Sequence, residues 1–121
     1  MTWTLDLPDQ EITTPNSRVH WSRTARCAKA WREATCWLAR DAKIPTLDRI
    51  AVTLTHWPAD RRKRDHDRLV LVAKWCVDGL VDAGVIADDD TEHLAASPTC
   101  RIEPTRGDKR RHWALTVEVA S

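Results

Sequence analysis

Residues 49–84 read RIAVTLTHWPADRRKRDHDRLVLVAKWCVDGLVDAG, and the change of period inside this stretch decides the fold. At its start Ile50, Val52 and Leu54 fall on one face of an extended chain, which predicts a half-buried strand. Pro58 closes that strand. From Arg68 the pattern is helical. Leu69, Val70, Leu71, Val72, Trp75, Cys76, Val77, Leu80 and Val81 surround most of a helix that ends before Gly84, a residue suited to the left-handed position after a helix. A helix that is apolar on most sides is buried in its domain or in a subunit interface.

Towards the N-terminus, WTLDL at residues 3–7 alternates and predicts a first strand, followed by a polar loop with Pro8 and Pro15. A helix is expected from Ser22, a good N-cap residue, to about Ala42, with Pro45 just beyond it. Its apolar stripe is Cys27, Ala30, Trp31, Ala34, Trp37 and Leu38. Near the C-terminus, TCRIE at 99–103 and HWALTVEV at 112–119 predict a hairpin turning around Arg106, Gly107 and Asp108, with Trp113, Leu115, Val117 and Val119 on one face. Strand, helix, strand, helix, hairpin is the order of a two-layer α+β domain: a small mixed β-sheet with two main helices. Residues 1–121 form one such domain, with no internal repeat, low-complexity segment or linker.

Composition agrees with this. A chain of 121 residues that is 42% hydrophobic can bury a core and is not disordered. The net charge of +1 conceals local clusters of one sign, so the distribution of charge is the informative quantity. No signal peptide and no apolar run of ~20 residues is visible, which makes the cytoplasm the expected compartment and a membrane span unexpected. The four cysteines form no C-x-x-C pair, and Cys27, Cys36 and Cys76 sit in helical patterns as small hydrophobes. Seven Trp with no Phe or Tyr suggests a GC-rich genome, so most tryptophans are expected in core positions that Phe would otherwise fill.

Chemistry concentrates in the middle of the chain. Arg61, Arg62, Lys63 and Arg64 run directly into Asp65 and Asp67, a lone Lys74 interrupts the apolar helix, and Asp88, Asp89 and Asp90 follow it. Each piece has an ordinary explanation. A basic run is usually a solvated loop, an Asp before a helix caps it, and a lysine on a buried helix can extend its ammonium to water. Together they suit phosphodiester cleavage. Magnesium prefers carboxylate, water and phosphate oxygens. A cation facing the phosphate stabilises transition-state charge, and a basic run holds the backbone. Acids next to a basic run make sense if a metal sits between them and the phosphates. At ~100° per residue Asp67, Lys74 and Asp78 share one helix face.

RDHD at 64–67, followed by LVAKWCVDGLVDAGVIADD at 71–89, resembles the RusA family of Holliday junction resolvases, including the RusA-like endonucleases of bacteriophages. NSRVHW at 16–21 and AWREA at 30–34 also look like that family's N-terminal segment. The resemblance implies a small α+β homodimer that cuts four-way junctions and other branched DNA with magnesium or manganese in the bacterial cytoplasm, encoded by a phage or prophage. By the same resemblance Asp65, Asp67 and Asp89 match the metal-binding aspartates and Lys74 the catalytic lysine. Two departures stand out: Arg68 occupies a position that is usually Asn, and Lys74 lies three residues, close to one helical turn, further along than in the best-known form.

The expected DNA contacts are Arg61, Arg62, Lys63, Arg64 and Arg68, with Arg110 and Arg111 in a second cluster beside Arg106 and Lys109. His66, between the two aspartates, is expected to point away, as neighbours on extended chain do. The competing readings are a junction-binding or regulatory DNA-binding protein without nuclease activity, and a plain α+β interaction domain.

Overall fold

The computed structural model describes residues 1–13, 21–60 and 66–120. The elements are β1 (Thr2–Leu7), α1 (Trp21–Asp41), β2 (Ile50–Trp57), α2 (His66–Asp82), β3 (Thr99–Ile102) and β4 (His112–Val119). The four strands form one mixed sheet in the order β1-β4-β2-β3, so the α+β expectation of a small mixed sheet with two helices holds. No helix among the described residues is long and apolar enough to cross a membrane.

The sheet corrects one expectation. β3 and β4 are not a hairpin: β3 pairs in parallel with β2, from Thr53 opposite Thr99 to His56 opposite Ile102. β4 lies antiparallel on the other side of β2, from Ile50 opposite Val119 to Trp57 opposite His112. It also pairs with β1, from Thr2 opposite Glu118 to Leu7 opposite Trp113. Both edges of β4 are therefore taken. β3 occupies the remaining edge of β2, and a parallel neighbour of β2 must be reached by a crossover, which α2 supplies. Gly107 (φ 81°) and Lys109 (φ 60°) still turn the chain, but the turn carries it across β2. Arg106 rests there on the Trp57 ring, 4.2 Å from its centroid.

The period-two pattern of β2 is realised in full: Ile50, Val52, Leu54 and His56 are buried, with half-buried residues between them. Their partners in the core include Trp31 of α1, Val72, Cys76 and Leu80 of α2, and Leu115 and Val117 of β4. Trp31 meets Trp113 edge-on at 5.0 Å between ring centroids, and His56 stacks on Trp113 at 3.9 Å. These tryptophans fill the core as expected. Trp37 does not: it is 71% exposed. The buried line of α1 is Cys27, Trp31, Thr35 and Ala39, a four-residue spacing that turns Trp37 outward. Thr35 can be buried because its hydroxyl donates to the Trp31 carbonyl at 2.9 Å.

The helices pack closely where Gly79 faces α1. A Cβ there would lie 2.5 Å from the Arg32 carbonyl oxygen and 2.8 Å from Thr35 Cβ. Beside that contact the Arg32 guanidinium makes a two-pronged contact with Asp82, Nη2 donating to Oδ1 at 2.7 Å. Arg40 donates to the Asp82 carbonyl at 3.2 Å. α2 starts at His66, two residues before the expected boundary, and Gly84 follows its end with φ 79°. Cys27 and Cys76 are buried free thiols, and burial pushes the Cys76 thiol up to about 12.

Candidate functional site

α2 presents most of its surface to the core, yet one strip reaches a cleft of about 590 Å³. Val70, Ala73, Lys74 and Val77 line the cleft from the helix side; Asp89, Asp90, Thr91 and the stretch Leu94 to Pro98 line it from the segment that follows. Lys74 is exposed on a helix whose flanking Ala73 and Trp75 are buried.

Backbone contacts fix the segment that carries Asp89. The Ile50 amide donates to the His93 carbonyl at 2.8 Å and the Ala95 amide to the Ile50 carbonyl at 2.9 Å, so residues 93–95 are stitched to the start of β2. The Asp90 carboxylate closes the preceding turn, accepting the amides of Glu92 and His93 at 3.1 Å each and sitting 2.6 Å from His93 Nδ1. That histidine contact holds the Asp90 carboxyl below the usual carboxylate range. Asp88 accepts the Asp89 amide at 2.8 Å. The carboxylate of Asp89 is thus delivered to the cleft by a braced loop.

Asp78, one turn beyond Lys74 on α2, belongs to the same electrostatic cluster. Burial pushes its carboxyl above the ordinary range; the negative charge of Asp89 adds to that push, while Arg32 and Lys74 oppose it. Crowded carboxylates of this kind suit a hard divalent cation, which takes oxygen donors and relieves their repulsion. Asp89 and Asp78 are thus residues that could offer carboxylate oxygens to a hard divalent cation.

The remaining expected residues are distributed as follows. Asp67 is exposed in the first turn of α2, where a carboxylate favours the helix dipole, but it is not part of the cleft lining. His66 opens the helix, so it does not lie on extended chain as expected. Asp65 and the basic run Arg61, Arg62, Lys63 and Arg64 fall outside the described residues. Arg68 and Arg111 come together at a second, smaller pocket of about 220 Å³ with His56, Asp60 and Trp113. Arg111 is engaged within the fold, bonding to both carboxylate oxygens of Asp9 at 2.9 and 3.2 Å and to the Gln10 carbonyl at 3.1 Å. Arg68 has its Nε buried, with no hydrogen-bond partner among the described residues. Arg110 is exposed at the turn before β4, its amide bonded to Asp108 at 3.1 Å.

Asp78 was expected to share a helix face with Asp67 and Lys74, and it lies within electrostatic reach of Lys74. Not singled out from the sequence was a group further along the chain. Asp90, Glu92 and His93 bring one ligand atom each within 4.8 Å of one another. Only their closeness along the chain hinted at this.

No protein-family model matches the chain. The chain is similar to a Xylella fastidiosa (strain Temecula1) protein described as "Uncharacterized protein", at 31% identity over 90 residues, a match that covers 70% of this chain and 58% of that relative. The chain thus spans less than two thirds of the relative it matches.

Proposed function

We propose that the protein is a metal-dependent endonuclease of branched DNA of the RusA type, cutting four-way junctions as a cytoplasmic, phage- or prophage-encoded homodimer. The observation that carries this reading is the shared cleft of Lys74 and Asp89, with the crowded carboxyl of Asp78 beside it. A protein that merely binds DNA gains nothing from carboxylates facing phosphates.

Asp89 and Asp67, with Asp65 of the D-x-D pair, would hold magnesium or manganese through carboxylate oxygens. The bound metal would activate water and neutralise phosphoryl charge. The Lys74 ammonium offers three donors to a non-bridging phosphate oxygen, an interaction that strengthens as charge develops in the transition state. Lys74 stands on a buried helix and Asp89 on a loop tied to β2, so neither needs to reorganise to meet the phosphate. The basic residues Arg61 to Arg64, with Arg68 and Arg110, would hold flanking backbone. Arg111 contributes less, because Asp9 already neutralises it. Two copies related by a two-fold axis would supply the paired cuts that a junction requires.

The test mixes purified protein with a labelled four-way junction and a matched linear duplex, with and without magnesium or manganese. Metal-dependent symmetric nicking of the junction supports the reading. Junction binding with no cutting under either metal replaces the nuclease with a junction-masking protein.

A further inference from the structure

A site that held only phosphate and a hydrated metal would need charge and little else. The cleft of Lys74 and Asp89 is built differently. Its volume of about 590 Å³ lies within the range of small-molecule pockets, roughly 300–1,000 Å³. Beyond the charged residues its walls are Val70, Ala73, Val77, Leu94 and Pro98. Val70 is 52% exposed there, a large aliphatic left facing solvent. Polar groups suited to orienting a ligand, Thr91 and Ser97, line the same cleft.

We propose that this apolar part of the cleft is a slot for one unstacked nucleobase of the nucleotide next to the scissile phosphate. The inference rests on the nuclease reading above and deepens it by naming the substrate class: DNA in which a base at the cut can leave the stack. A base is uncharged, has apolar faces and carries exocyclic groups that hydroxyls can meet. It is tethered through its sugar to the phosphate that Lys74 would hold, so an apolar slot within the same cleft is within its reach. In an intact duplex the bases face the helix axis and are unavailable. Turning one out costs a few kcal/mol, and least where pairing is already interrupted. At a four-way branch point the bases remain paired, but the exchange of strands interrupts the regular stack, so a flanking base turns out more easily than one within an arm. The slot therefore favours branched over linear DNA without reading the fold of the junction as a whole.

The experiment uses the full-length protein with calcium, which permits binding to be read apart from cutting. Junctions carry 2-aminopurine on either side of the cleavage position. Binding by the wild-type protein should raise its fluorescence several-fold, and the matched duplex should show no rise. The lining contains no aromatic residue among the described residues, so the base would not be quenched on entry. Ala96→Trp places a bulky side chain in the cleft at an exposed position, and Val70→Phe does so from the helix side. Each should weaken junction binding about tenfold. An abasic nucleotide at the position that lights up should restore the affinity, because there is no longer a base to accommodate.

A bound junction with no fluorescence change at any flanking position overturns the slot. So does equal affinity of both variants and the wild type for normal and abasic junctions. Conversion of both variants from dimer to monomer, with no abasic rescue, assigns the cleft to a second copy of the chain instead. If the junction lights up on the wild type and the abasic nucleotide rescues the variants, but the wild type never cuts with magnesium or manganese, the nuclease reading fails while the slot stands. Failure of the wild type to bind any junction removes both.

Discussion

Lys74, on α2, and Asp89, in the loop beyond that helix, line one cleft. Lys74 is the only basic residue between Arg68 and the end of α2. Its neighbours along the helix are buried, so it contributes charge to the cleft and little packing to the core. Lys74→Met keeps the aliphatic stem and removes the ammonium. Cleavage of saturated junction in a single turnover should fall by ~10²–10³, the usual loss for one group that stabilises transition-state charge. Junction affinity and melting temperature should change little, since the contact strengthens mainly in the transition state. A Lys74→Met protein that cuts at the wild-type rate would leave the ammonium with no role beyond solvation.

The aspartates are expected to separate cutting from binding. Asp67→Asn and Asp89→Asn each keep side-chain shape while removing a charged oxygen donor. Both should abolish nicking and retain junction binding, with affinity equal to or tighter than wild type because a negative charge near phosphates is lost. Retained cleavage in Asp89→Asn would separate the cleft from the chemistry. Retained cleavage in Asp67→Asn alone would remove Asp67 from the metal shell and leave it to Asp89 and its neighbours.

The basic run is expected to set the salt dependence. Arg61→Ala combined with Arg62→Ala removes two cations that would displace counterions from DNA, so the plot of log affinity against log salt should flatten by roughly 2. An unchanged slope in a binding titration across salt concentrations would mean that these residues do not touch the backbone.

Much of the fold was legible because its elements have strong periods. β2 alternates without exception, and α2 is apolar on nearly every side. What failed was information that no local period carries. TCRI and HWALTVEV look like hairpin partners because a Gly turn joins them, yet β1 closes one edge of β4 and β2 the other, and that follows from pairing far apart in sequence. Trp37 fits a helical stripe by count, but the close contact at Gly79 and the Arg32–Asp82 pair set the rotation of α1, and they leave Trp37 outside. In the site, the helix-face argument placed Lys74 beside Asp78. The approach of Asp89 depends on a single-residue bridge between Ile50 and Leu94, too short to leave a pattern in the sequence.

Gly79 faces α1 with no room for a side chain, and its replacement tests that packing directly. Alanine would ordinarily stabilise a helix interior by roughly 0.5–1 kcal/mol relative to glycine. Here the added Cβ meets the Arg32 carbonyl oxygen at 2.5 Å and Thr35 Cβ at 2.8 Å. The carbonyl belongs to the backbone of α1 and cannot rotate away, so the helices must separate. Overpacking of this kind costs typically ~1–3 kcal/mol, which outweighs the propensity gain. Gly79→Ala should therefore lower the denaturation midpoint in urea, and a more stable variant would show that α1 and α2 do not touch here. Because α2 carries Lys74, the same variant should also slow cleavage beyond what the loss of folded protein accounts for.

Asp82 anchors the other side of that helix contact, and its pH dependence has a definite sign. The hydrogen bond from Arg32 holds its carboxyl below the ordinary carboxylate range. A folded value below the unfolded one means that the unfolded chain binds the proton more readily. The contribution is then fully present above the unfolded value of ~3.9 and is lost as pH falls through the folded one. The side chains are 48% and 36% exposed, so solvent screening limits the pair to about 1 kcal/mol or less at neutral pH. Asp82→Asn should be less stable than wild type at pH ~7, and the gap should shrink at acid pH as the wild-type carboxyl takes up its proton. The gap at neutral pH should narrow in 1 M salt, where the screening length is ~3 Å. Urea melts of both proteins at neutral and acid pH measure it. A gap that stays constant from neutral to acid pH would assign the effect of Asp82 to packing rather than to its charge.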